Sequence, residues 1–221
     1  MYNYNPVDSN SISNNWIYAI TEDHDGNLWV GTKGGLNKYL TKQNHFQRIE
    51  YQTEFSFDVT QYIYDVVCLS NGNIVINTPP LISIYNTEEN SFAHFQSQLE
   101  YDGAVMDLRI PVMEDVDGSI WIGSSIGLVR FSEQTKEFSE IPFFNKKGNP
   151  IERINITALY KDKKGVLWVG TTVGLFHFNS VSNRCEESGF NLGSDNTYPF
   201  ESSCVRAILE DKYGNLIFGT E

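Results

Sequence analysis

Residues 21–39 read TEDHDGNLWVGTKGGLNKY: an Asp-Gly turn, the apolar run Leu28-Trp29-Val30, a second glycine-rich turn, and an alternating stretch that ends at Tyr39. Asp-Gly supplies the positive φ of a tight hairpin, so the stretch predicts short antiparallel strands joined by tight turns. Close copies follow as EDVDGSIWIGSSIGLVRF (114–131) and KDKKGVLWVGTTVGLFHF (161–178). Aligning on the tryptophan places Trp29, Val75, Trp121, Trp168 and Ile217 in one column, at intervals of 46, 46, 47 and 49 residues. Three residues ahead of that column stand Gly26, Gly72, Gly118, Gly165 and Gly214. Seventeen residues after it come Phe46, Phe92, Phe138 and then Cys185.

Each copy reads as four strands: an apolar run (IYAI, IPVM, ITALY, VRAIL), the LWVGT strand after the Asp-Gly turn, a third strand such as LNKY, and a fourth carrying the Phe. Four strands recurring every 40 to 50 residues or so mark the blades of a β-propeller. The fold class is therefore all-β, a propeller segment of four-stranded antiparallel blades. The boundaries fall at about 16–50, 62–96, 108–142 and 155–187, with a partial fifth blade at about 204–221. The tryptophans are expected to lie on the face of one blade and pack against the next, because Val75 and Ile217 keep that column apolar without the indole.

Composition agrees with this reading. The chain has 221 residues, is 40% hydrophobic and 14% aromatic, and contains 17 glycines, which favours strands and turns over helix. A net charge of −12 sets nucleic acid and anionic lipid aside as partners. No apolar run nears the roughly 18 residues that cross a bilayer, and MYNYNPVDSN has none of the regions of a signal peptide, so the chain reads as soluble. Cys68, Cys185 and Cys204 form neither a disulfide framework nor a metal knuckle. Cys185 falls in the Phe column as a core residue, and its pairing with Cys204 is left open.

The pattern IxxDxxGxLWxGTxxGLxxY, preceded by SISNNWIYAI (11–20), resembles the two-component regulator propeller repeat. The resemblance covers essentially the whole chain. Blade 2, LSNGNIVINTPPLISIY (69–85), departs from it at Val75 and at the Asn77-Thr78-Pro79-Pro80-Leu81 turn. The family occurs in the periplasmic sensor half of hybrid histidine kinases of Bacteroides-type gut bacteria. The resemblance implies a periplasmic, paired receptor anchored in the inner membrane, with signals drawn from oligosaccharides released by polysaccharide breakdown. It also implies a ring of seven blades followed by a second propeller. On that expectation Tyr2 and Tyr4 belong to the outer strand of a preceding blade; the alternative is a five-bladed ring that they complete. No kinase, receiver or DNA-binding segment lies in these residues.

Candidate chemistry is sparse. Gly123-Ser124-Ser125-Ile126-Gly127 satisfies a nucleophile-elbow pattern, but that motif needs a strand-to-helix turn, and its columns elsewhere hold hairpins. The carboxylate pairs Glu22-Asp23, Glu114-Asp115 and Glu210-Asp211 recur with the turn, which fits a structural role better than a catalytic one. His24, His45, His94 and His177 show no metal-ligand spacing, and no cofactor or metal is expected. Recognition is placed instead in the connections between blades, around 50–61, 96–107, 142–153 and 187–203. The column ahead of the first strand reads Trp16, Tyr62, Leu108, Asn155 and Cys204, with Tyr64, Arg109, Arg153 and Arg206 close by. Aromatic faces and forked donors suit a saccharide, so Trp16, Tyr62, Tyr64, Arg109, Arg153, Asn155 and Arg206 are the candidate ligand-binding residues. The expectation is a non-enzymatic sensing or scaffolding ectodomain. The rivals are a propeller lyase or glycosidase using Glu54, Asp58, Asp102 and Glu152, and a protein-interaction propeller.

Overall fold

The computed structural model describes residues 1–51, 62–78, 81–96, 111–188 and 204–220, and its regular structure among them is entirely β. The chain divides into two compact units, Met1–Tyr101 and Asp102–Glu221.

The first unit holds two four-stranded sheets. One is β1 (Ile17–Glu22), β2 (Leu28–Thr32), β3 (Gly35–Leu40) and β4 (His45–Ile49), antiparallel and in sequence order. The other is β5 (Asp65–Cys68), β6 (Ile74–Thr78), β7 (Leu81–Asn86) and β8 (Ser91–Gln96), in the same order. In the second unit β9 (Val112–Glu114), β10 (Ile120–Gly123), β11 (Leu128–Ser132) and β12 (Glu137–Ile141) repeat the arrangement. β13 (Phe143–Phe144) and β14 (Pro150–Ile151) then join the outer edge of β15 (Ile156–Lys161), β16 (Leu167–Thr171), β17 (Gly174–Asn179) and β18 (Arg184–Glu187), making six strands. A two-stranded sheet of β19 (Val205–Glu210) and β20 (Leu216–Thr220) completes the unit. These are the four-stranded antiparallel blades of a β-propeller.

The repeated residues explain the repeated turns. Between the first two strands of every sheet the same backbone bond closes the loop: Asp23 N–H to Asn27 O, Leu69 to Asn73, Asp115 to Ser119, Asp162 to Val166 and Asp211 to Asn215. Each of these turns carries its glycine at positive φ, between 78° and 87°. In the second turn a hydroxyl closes the loop, from Thr32 to Gly35 O, Thr78 to Leu81 O, Ser124 to Gly127 O and Thr171 to Gly174 O. The nucleophile-elbow pattern at Gly123 to Gly127 is thus a hairpin turn, with β10 leading straight into β11.

The tryptophans pack as their column requires. Trp29 meets Tyr85 of the next sheet at 5.6 Å between ring centroids, and Trp121 meets Phe178 at 4.8 Å. Both indoles are buried; at about 25 cal/mol/Å², removing roughly 150–250 Å² each contributes about 4–6 kcal/mol before conformational entropy is counted. Cys185 is buried in the core shared with Phe176 and Phe143. Cys68, Cys185 and Cys204 are all free thiols.

Two expectations change. Tyr2 and Tyr4 are not in a strand. The N-terminal segment instead folds against the first sheet: Tyr2 packs edge-on to Tyr39 and Phe46, and Arg48 gathers the carbonyls of Asn5, Asp8 and Ser11. The 142–153 connection is not a simple loop either. It carries the β13–β14 hairpin, with β13 running parallel to β18 through Phe143↔Cys185. In both places the chain delivers a backbone acceptor to the fourth strand, Asn10 O to Phe46 N–H and Pro142 O to Cys185 N–H.

Candidate binding site

Where the first strand of a sheet begins, the backbone is tied to a neighbouring turn. Lys33 N–H donates to Trp16 O at 3.0 Å, and Ile63 N–H donates to Thr32 O at 3.1 Å. The β2–β3 turn is therefore flanked by Trp16 from its own sheet and Tyr62 from the next. Lys33, in that turn, rests its ammonium on both rings, 5.4 Å from each centroid. Tyr62 meets Tyr64 edge-on at 6.3 Å, and Tyr64 lies 5.2 Å from Tyr18. Trp16 is 62% exposed. Of the predicted residues, Trp16, Tyr62 and Tyr64 are thus brought together. Lys33 is the member that sequence reasoning missed; its signal was a departure from Ser125 and Thr172 in the same repeat column.

The second unit repeats the backbone frame without this chemistry. Thr172 N–H donates to Asn155 O at 3.1 Å, and Ile156 N–H donates to Ser124 O at 2.9 Å. The Thr172 bond is the counterpart of Lys33 to Trp16, with Asn155 in place of Trp16; the Ile156 bond is the counterpart of Ile63 to Thr32 at the preceding sheet's turn, with Ser125 in place of Lys33 and Asn155 in place of Tyr62. Asn155 Oδ1 is buried and accepts no hydrogen bond from the described residues. Arg153 is exposed and Arg206 half-buried. Arg109 lies outside the described residues, as do Glu54, Asp58 and Asp102.

The recurring carboxylates are held in structural roles. Asp23 Oδ2 accepts the Trp29 indole N–H, Asp115 Oδ2 that of Trp121 and Asp162 Oδ2 that of Trp168, each at 2.9 Å. Burial would raise the pKa of Asp23, but the Asn27 backbone N–H, the indole and the Lys38 ammonium outweigh it and bring it down to about 2. Burial opposes the same shift at Asp115, where Lys161 and Trp121 prevail, and at Asp162, where Trp168 and backbone donors prevail. Carboxylates held ionised in this way cannot act as general acids near neutral pH.

Ser83 Oγ is 2.8 Å from His94 Nδ1 and 2.8 Å from the Tyr51 hydroxyl, which superficially pairs a nucleophile with a base. Ser83 is fully buried, and its column-mate Asn37 shows what the position is for. Asn37 exchanges 2.8 Å bonds with the backbone and hydroxyl of Ser13, just as Ser83 holds Tyr51. Both side chains anchor an incoming connection to the third strand of the sheet.

Residues 11–34 and 151–172 match the family model of the two-component regulator propeller. These two stretches carry the two-component regulator propeller repeat. The matched stretches include the Asp23–Trp29 and Asp162–Trp168 pairs and the β2–β3 turn up to Gly34. No curated relative matches the chain. Among solved structures, the extracellular domain of a hybrid two-component system from B. thetaiotaomicron aligns over 99% of this chain and 27% of its own, with a TM-score of 0.69 and 22% identity. Virginiamycin B lyase from Staphylococcus aureus aligns over 92% of this chain and 62% of its own, with a TM-score of 0.64 and 13% identity. PorZ, a surface component of the type-IX secretion system of Porphyromonas gingivalis, aligns over 93% and 31%, with a TM-score of 0.66 and 17% identity. At these identities the likeness establishes the propeller fold. The chain spans between 27% and 62% of the length of these structures. Among the described residues no helix is long and apolar enough to cross a membrane.

Proposed function

We propose that the chain is a ligand-sensing or scaffolding segment of the periplasmic ectodomain of a hybrid two-component sensor histidine kinase. On this reading the segment is non-catalytic, the parent receptor is a homodimer in the inner membrane, and the signal is an oligosaccharide from polysaccharide breakdown. The observation that carries the reading is the group of exposed Trp16 with half-buried Lys33 and Tyr62, built on a turn tied to both sheets by backbone hydrogen bonds. The propeller repeats and the likeness to an extracellular domain of a hybrid two-component system support the receptor setting. A ligand acts in such a receptor only by binding one arrangement of the pair more tightly than the other.

The lyase likeness, at 13% identity, is one of fold. Glu152, the enzyme candidate within the described residues, is exposed. Titration calorimetry against a panel of neutral and acidic oligosaccharides, with product analysis of the same mixtures, tests the reading. Binding without cleavage is the expected result. Cleavage of any member, or binding of none, overturns it.

A further inference from the structure

We propose that Trp16, Lys33 and Tyr62 form a site for an acidic sugar, a pyranose that carries a carboxylate or a sulfate. The inference rests on the ligand-sensing reading above and narrows the chemistry of the ligand.

The repeat itself provides the control. Each bond of that backbone frame recurs in the second unit without these side chains, Thr172 to Asn155 where the first unit has Lys33 to Trp16 and Ile156 to Ser124 where it has Ile63 to Thr32, so folding demands neither the two rings nor the cation. A 62% exposed tryptophan is also poorly placed to contribute to a core. What the first unit adds is a matched set: two ring faces for the C–H face of a sugar, and a charge between them.

Lys33 differs from most structural cations of the chain. Lys38 pairs with Asp23, Lys161 with Asp115, Arg130 with Asp117 and Arg184 with Glu186. Lys33 has no carboxylate partner among the described residues, although the chain carries a net charge of −12. An ammonium has three N–H donors, and ring faces attract its charge without accepting those bonds as an oxyanion does. A carboxylate or sulfate oxygen supplies what the rings cannot. The two aromatic contacts meanwhile hold the cation beside the surface on which the sugar ring would stack.

The test is calorimetry on the 221-residue chain with three tetrasaccharides: hyaluronan (carboxylate only), carrageenan (sulfate only) and cellotetraose (neutral). Expected is binding of at least one acidic probe about tenfold or more tighter than the neutral one, weakening as salt is raised. Lys33→Gln should remove that preference and Lys33→Arg restore it, while Trp16→Ala should weaken acidic and neutral binding alike. Unchanged circular dichroism in each variant keeps the comparison valid. Equal binding of acidic and neutral probes, or acidic binding untouched by Lys33→Gln, overturns the inference and leaves the ligand-sensing reading standing. Binding of none overturns both.

Discussion

Asp23 accepts the indole N–H of Trp29, and the two residues are exchanged together: the second sheet has Leu69 and Val75 at the equivalent positions. The cross-strand partner of the tryptophan follows, Lys38 and Arg130 facing Trp29 and Trp121 while Ile84 faces Val75. Lys38 lies 4.9 Å from the Trp29 ring and Arg130 lies 5.2 Å from that of Trp121. An indole N–H without an acceptor, or a half-buried carboxylate without donors, carries a desolvation penalty, so the first and third sheets keep the whole polar set and the second an apolar one. Asp211 stands beside Ile217 without penalty because Asn215 Nδ2 takes its second oxygen at 2.9 Å.

The first prediction concerns that pair. Asp23→Ala leaves the Trp29 N–H without its acceptor and Lys38 without its ion-pair partner. We expect a loss of about 1–3 kcal/mol in urea denaturation. Added to Trp29→Phe it should cost clearly less, since the N–H is already gone; strictly additive losses would show that the bond contributes nothing.

The same carboxylate sets an acid dependence. The folded pKa of Asp23, about 2, lies below its ordinary 3.8. Its contribution is therefore fully present above about pH 4 and lost as pH falls through about 2. Allowing for solvent screening it amounts to about 1–2 kcal/mol. Asp115 and Asp162 are shifted in the same direction, so their contributions too are lost as pH falls below the ordinary carboxylate range. Stability measured across that range should fall steeply, and Asp23→Asn should flatten the slope.

The strands and their turns were legible because their causes are local and repeated: a glycine at positive φ, a hydroxyl after it, an apolar column in step. The contacts that place the connections were not. Arg48 holds residues 5–11 through backbone carbonyls, and such bonds leave no mark on residue type at the accepting positions. The β13–β14 hairpin did leave one. Asn145 to Asn149 closes with the same bonds as the Asp23 to Asn27 turn, but it stands out of register with the repeat. For the candidate site, the aromatic column drew attention to Trp16 and Tyr62, whereas Lys33 was concealed inside a turn whose glycines dominated its reading.

Lys136 gives a third prediction. The turns between third and fourth strands place Asn44, Asn90 and Asn183 at φ of 59°, 52° and 49°, and Lys136 at 61°. Asparagine tolerates this left-handed conformation far better than lysine. In two of these turns it also serves a neighbour, Asn44 Oδ1 accepting the Tyr39 hydroxyl and Asn90 Oδ1 that of Tyr85. The third sheet has Phe131 in that column, so nothing there requires an amide. Lys136→Asn or Lys136→Gly should stabilise by up to about 1 kcal/mol, raising Tm by about 2–4 °C in a calorimetric scan. An unchanged or lowered Tm would mean that the lysine side chain compensates for its backbone.

The glycine of the LWVGT strand supplies the last prediction and its own control. A Cβ at Gly170 would sit 2.8 Å from the carbonyl oxygen of Val205 and 3.0 Å from its Cγ1, because β19 crosses directly over β16. Gly31 meets Ile63 and Val66 in the same way, and Gly123 meets Ile156 and Pro111. The column is thus the point of closest approach between one sheet and the first strand of the next, and backbone atoms have little room to retreat. At Gly219, in the same column, the nearest atom to an added Cβ is the Ala207 Cβ at 3.5 Å, an ordinary contact. Gly170→Ala should therefore cost about 1–3 kcal/mol as an overpacked site, while Gly219→Ala changes stability by less than about half a kcal/mol. Equal effects from the two substitutions in urea denaturation would show that the glycine serves strand geometry alone and not the approach of the neighbouring sheet.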